Sequence, residues 1–187
     1  MKTPLRVLIV EDSESDAELV VRQLKKADYP IHHERVDTAK DMKVALEKQT
    51  WDIVISNYKL HRFNAPSALA LLQKTKLDIP FIVVSDNMSE KKAVELMEAG
   101  ACDYLMKDKL ARLVPVVKRE LAEAQIRRKH KKVEEEGLLL VQAVKSTKDC
   151  ISITDLENKI LFVNDSFLAT YGYSDAELLG KNISFIR

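Results

Sequence analysis

Cysteine is scarce. Cys102 and Cys150 are the only two in 187 residues, and neither sits in a CxxC or other metal-like spacing. Free thiols persist in a reducing compartment, so a cytoplasmic location is expected. Long apolar runs are missing as well. Val7-Leu8-Ile9-Val10 meets Glu11 and Asp12 at once, far short of the ~20 apolar residues of a membrane helix, so neither a membrane partner nor a targeting segment is expected. Charge of one sign is also lacking. Thirty basic residues against 29 acidic ones give a net charge of +1, which leaves no field for coating nucleic acid. The stretch Glu11-Asp12-Ser13-Glu14-Ser15-Asp16 contains no glycine, which argues against a dinucleotide-binding loop. No kinase histidine box, ATP-binding motif, helix-turn-helix pattern, internal repeat or low-complexity tract is present. The chain is not expected to be an enzyme.

What is there suits a folded core, with 46% hydrophobic and 32% charged residues. Four short apolar runs, 5–10, 52–55, 81–84 and 104–106, are rich in β-branched or aromatic residues and read as buried parallel strands. A weaker strand is predicted over 32–36. Helical spacing lies between the runs, as in Ala17, Val20, Val21 and Leu24, or Ala93, Leu96 and Met97. Ser13, Thr38 and Ser89 stand where helix caps are needed. Strands alternating with helices predict an α/β fold, a doubly wound five-stranded parallel sheet, with its ligand site at the carboxyl ends of the strands.

Those ends carry polar residues. Glu11 and Asp12 follow the first strand, Asn57 ends the third, Ser85 follows the fourth and Lys107 the fifth. A carboxylate pair suits Mg²⁺, a hydroxyl suits a phosphoryl oxygen, and a lysine neutralises the remaining charge. Each residue alone has a plain reading. The acid pair would favour the following helix through its dipole, and Lys107 would be a solvated lysine. The order of the set carries the inference.

Four stretches, LIVEDSESD, WDIVISNYKL, PFIVVSDN and EAGACDYLMKDKLARL, together resemble the receiver domain of two-component response regulators over about 5–113. The resemblance implies a flavodoxin-like fold and a role in phosphorelay signalling with a sensor histidine kinase as partner. It places Glu11 and Asp12 at the acidic metal pair and Asn57 at the phosphoacceptor position, where aspartate is expected. Ser85 falls at the switch hydroxyl, Tyr104 at the switch aromatic, Lys107 at the signalling lysine, and the backbone carbonyl of Lys59 at the third Mg²⁺ ligand.

The sequence departs from the pattern at several points. Asn57 is an amide without a nucleophilic carboxylate oxygen, so no acyl phosphate should form there. Losing that charge should also weaken Mg²⁺ binding. His61 and Arg62 replace a common Pro-Gly pair, and Asp108 stands where many receivers carry proline. The rest of the set is retained, which points to a recently silenced or deliberately substituted acceptor. The alternative is a natural pseudo-receiver, an interaction module that works without phosphate.

From about Ala111 to Thr147 the pattern predicts one long helix with a charged middle, where Lys131 and Lys132 stand four residues before Glu135 and Glu136. Ile126, Val133 and Leu140 recur every seven residues, and Val144 supports the seam. A parallel homodimer through the Glu120–Val144 stretch of this helix is expected, while His130 and Gly137 weaken the seam. The final stretch, CISITDLENKILFVNDSFLATYGYSDAELLGKNISFIR, resembles the start of a PAS sensory domain, on Asp155, Asn164, Gly172-Tyr173-Ser174 and Glu177 to Lys181. Some forty residues bury little core alone, so no PAS ligand is expected. The organisation expected is a receiver at 1–118, a helical linker at 119–148 and a partial α+β PAS segment at 149–187.

Overall fold

Alternation along the first strand decides the layering. The computed structural model describes residues 4–27 and 30–186, so the expected limits at residues 1 and 187 lie outside the described residues. Strand β1 (Leu5–Val10) is followed by α1 (Glu14–Leu24), β2 (Ile31–Val36), α2 (Ala39–Lys48), β3 (Ile53–Asn57) and α3 (Ala65–Lys74). Next come β4 (Phe81–Ser85), α4 (Glu90–Glu98), β5 (Asp103–Met106), a 3-10 turn (Lys107–Arg112) and α5 (Leu113–Ser146). The five strands are parallel in the order β2-β1-β3-β4-β5.

Side chains on a strand alternate between faces. Leu5, Val7 and Ile9 therefore join Ile53, Ile55, Ile82 and Val84 under α1 and the start of α5. Leu8 and Val10 join Val54 and Val83 against Met42, Ala45 and Leu46 of α2 and Ala68, Leu69 and Leu72 of α3. A sheet apolar on both faces must be covered on both, which explains the continuous apolar runs of its strands.

Local chemistry sets the helix starts. The side chains of Ser13, Thr38 and Asn64 accept from the backbone N–H of Asp16, Asp41 and Ser67. Ser89 holds the N-cap place of α4 but makes no side-chain capping bond. After α4 the chain turns through Gly100 at φ +103°, where an added Cβ would lie 2.9 Å from Gln73 Nε2.

The chain divides into two compact units, 1–128 and 129–187, with the division inside α5. The first stretch of α5 belongs to the sheet's core, since Leu113, Val116, Val117, Glu120 and Ala124 are buried. In the second unit β6 (Ser152–Thr154) and β7 (Ile160–Val163) form an antiparallel hairpin, followed by α6 (Asp165–Tyr171) and α7 (Asp175–Leu178). Ile160, Val163, Phe167 and Leu178 make its small core. The fully buried Asn164 ties it together. Its Oδ1 accepts from the N–H of Ile151 and Phe167, and its Nδ2 donates to the carbonyls of Val144 and Asp149. Ser174 and Glu177 form a capping box at α7.

Candidate functional site

Parallel strands end together, so the carboxyl ends of β1, β3, β4 and β5 bring the sequence-predicted residues to one edge of the sheet. Glu11 is 4% exposed and Lys107 has an 11% exposed side chain. The nitrogen of the Asn57 amide donates to Glu11 Oε1 at 3.1 Å, and the Ser13 N–H donates to the same oxygen at 3.1 Å. Lys107 Nζ lies 3.6 Å from Glu11 Oε2, 3.1 Å from Asp86 Oδ2 and in close contact with Asp16. Glu11, Asn57 and Lys107 thus form a connected set.

Asp12 faces the loop after β3. Its Oδ2 accepts from the His61 backbone N–H at 2.9 Å and pairs with His61 Nδ1 at 2.5 Å. Ser85 is buried at the end of β4, and its hydroxyl donates to the Asn87 carbonyl at 3.0 Å. Tyr104 lies to one side, 37% exposed, in a shallow apolar recess with Ala93, Val94 and Met97 of α4. Lys59 pairs with Asn64 in an isolated antiparallel bridge.

The electrostatics follow from these contacts. Burial pushes the Glu11 carboxyl above the usual carboxylate range, against the pull of the Ser13 and Asn57 N–H groups. The His61 ring holds Asp12 well below that range. Burial alone would lower the Lys107 ammonium. Its bonds to Asp16 and Asp86, with the charge of Glu11, outweigh burial and raise it above its ordinary value. This arrangement can hold a positive charge against carboxylates and an anion against Lys107. It offers no carboxylate at the end of β3.

A sequence profile for the response regulator receiver domain matches residues 7–118. This chain belongs to the response regulator receiver family. A PAS domain profile matches residues 148–186. Among curated proteins the chain is 26% identical over 184 residues to the two-component response regulator ORR26 of Oryza sativa subsp. japonica, covering 96% of this chain and 28% of that protein. It is 26% identical over 148 residues to the bacterioopsin transcriptional activator of Halobacterium salinarum, covering 73% of this chain and 22% of that protein. The chain therefore spans under a third of these relatives.

Solved receiver structures match the first unit. A signal receiver domain from Vibrio parahaemolyticus superposes with a TM-score of 0.60 at 29% identity, covering 67% of this chain and 96% of its own. The receiver domain of a signal transduction histidine kinase from Syntrophus aciditrophicus gives 0.55 at 27% identity, covering 63% and 90%. Receiver domains generally bind Mg²⁺ at the acidic phosphorylation site and act as non-enzymatic signalling modules.

The donor chemistry of this receiver suits a hard cation, with two carboxylates and an amide oxygen available once the Asn57 amide is turned. It is one carboxylate poorer for having Asn57. Among the described residues no group of three or more His, Cys, Asp or Glu side chains stands ready as a metal cage. No helix among them is long and apolar enough to cross a membrane.

Three participants were not visible as such in the sequence. His61 reads there only as a departure from a Pro-Gly pair, yet it covers Asp12. Asp16 stands in the sequence only as a residue of the first helix turn after Ser13, yet it meets Lys107 across 91 residues. Asp86, the residue after Ser85, gives its carboxylate to the same lysine. Its adjacency to Ser85 was the available signal.

Proposed function

We propose that this chain is a two-component phosphorelay regulator, a receiver at 1–118 joined by a helical linker at 119–148 to a PAS segment at 149–187. In this reading the acceptor position takes no phosphoryl group because Asn57 occupies it. The observation that carries the proposal is the Asn57 amide donating to Glu11 at the end of β3. An acyl phosphate requires a carboxylate oxygen to attack phosphorus, and an amide has none to offer.

The remaining roles follow from the same reading. Glu11, Asp12, Asn57 and the backbone carbonyl of Lys59 would hold Mg²⁺, more weakly than with a carboxylate at position 57. When bound, the ion neutralises charge on phosphoryl oxygens. Ser85 and Lys107 would take those oxygens, and Ser85 with Tyr104 would carry the switch. A sensor histidine kinase is the natural phosphoryl source for such a crevice. The chain itself is not an enzyme, and its setting is cytoplasmic.

The homodimer is proposed through α5. Ile126, Val133 and Leu140 are 68%, 61% and 67% exposed and recur every seven residues. Glu120 is buried and paired with Arg119, so the seam lies beyond Ala124. The charged middle is paired at Lys131–Glu135 and Lys132–Glu136, as a solvated helix face should be. This favours a protein partner over nucleic acid.

One observation favours the second reading, a natural pseudo-receiver. The polar groups of the crevice are satisfied by one another, with Asn57 on Glu11, His61 on Asp12 and Lys107 among three carboxylates. Acetyl phosphate with Mg²⁺, read by intact mass, tests the main proposal. The native chain should stay unmodified, and a phosphoryl adduct at position 57 would overturn it.

A further inference from the structure

Two adjacent residues of the loop between β4 and α4 occupy both groups that would receive a phosphoryl group. Asp86 Oδ2 lies 3.1 Å from Lys107 Nζ, and the Asn87 carbonyl accepts the Ser85 hydroxyl at 3.0 Å. Lys107 is nearly enclosed, while the Asp86 side chain is 75% exposed. The lysine is therefore the fixed member of the pair and Asp86 the movable one. Asp16 and Glu11 also face Lys107, so its charge is already more than balanced without Asp86.

We propose that Asp86 is an internal anion that competes with a phosphoryl group for Lys107, setting how readily this receiver takes phosphate once an acceptor is present. The proposal rests on reading the crevice as a phosphoryl site. A phosphoryl group arriving at Lys107 must displace the Asp86 carboxylate or share the lysine with it, and like charges in that space repel. Asp86 is a positioning residue in this account. It touches the group that binds the phosphoryl oxygens and does not react.

The test uses the full chain with Asn57→Asp, alone and combined with Asp86→Asn or Asp86→Glu. The donor is acetyl phosphate in magnesium buffer. The introduced carboxylate oxygen attacks phosphorus, the phosphorus–oxygen bond to the acetyl group breaks, and acetate leaves with the electron pair. Adding Asp86→Asn should speed phosphorylation by roughly tenfold at low salt. Asp86→Glu should stay close to Asn57→Asp alone. The difference should shrink as sodium chloride screens the charge, which a structural role of Asp86 would not produce. Equal rates with and without the Asp86 charge would overturn the proposal and leave the phosphoryl site standing. Failure of every variant to accept phosphate would overturn the site itself, and the proposal with it.

Discussion

The Asn57 amide nitrogen sits 3.1 Å from Glu11 Oε1, joining the ends of two neighbouring central strands. A carboxylate at position 57 would face Glu11 and Asp12 with a third negative charge, and a cation would be needed to hold the three together. The amide removes that need by donating an N–H to the buried acid, so one atom exchange turns a cation-requiring cluster into a self-satisfied one. Restoring the carboxylate should restore the requirement.

Magnesium affinity measures this directly. Asn57→Asp should tighten Mg²⁺ binding by about tenfold in calorimetric titration, as expected for one added charge beside the ion. His61→Ala in that background should tighten it further, because Asp12 then loses the imidazole and keeps only the backbone N–H of residue 61. Unchanged affinity in both would show that the acid pair does not bind the ion.

The second unit hangs on one amide. Asn164 is fully buried and bonds to Val144, Asp149, Ile151 and Phe167. Asn164→Ala strands several of those backbone groups and should cost about 2–3 kcal/mol within this unit. Hydrogen exchange over 149–167 should accelerate, while the receiver sheet keeps its protection.

At the amino ends of β1 and β3, Asp52 is gripped by Arg6 through Nε at 3.0 Å, Nη2 at 2.8 Å and the backbone N–H at 2.9 Å. Burial alone would raise the Asp52 carboxyl, but these bonds outweigh it and hold the group below its ordinary 3.8. A depressed carboxylate stabilises the fold above its unfolded pKa, and the contribution is lost as pH falls through the folded value. Arg6→Ala should therefore cost about 1 kcal/mol at neutral pH, discounted for the solvent exposure of Arg6. It should also flatten the acid limb of a urea stability profile, because the two chains should converge in stability once Asp52 is protonated.

Sedimentation tests the helix seam. The native chain should run as a dimer at tens of micromolar, and Val133→Glu with Leu140→Glu should make it monomeric while leaving helicity largely intact. A native monomer at that concentration would remove the seam from the account.

Much of the fold was legible because its signals are local. Continuous apolar runs such as Val7 to Val10 declare a strand buried on both faces, and Ser13 and Thr38 cap helices through residues three positions on. Ser89 holds the expected place at a helix start, but its side chain makes no capping bond. The candidate site was legible in membership but not in wiring. Asp16, His61 and Asp86 meet their partners only after the chain has folded, and Asp12 lies 49 residues from His61. Glu120 was likewise hidden. A glutamate within a charged helix reads as solvated, and the ion pair with Arg119 beside it helps make its burial tolerable.

The most direct measurement is phosphoryl transfer to the Asn57→Asp chain, followed by intact mass and fragmentation. One phosphoryl group is predicted, mapped to position 57, on a chain whose Asn57 form takes none under the same conditions. An Asn57→Asp chain that remains unmodified would contradict it and select the pseudo-receiver reading instead.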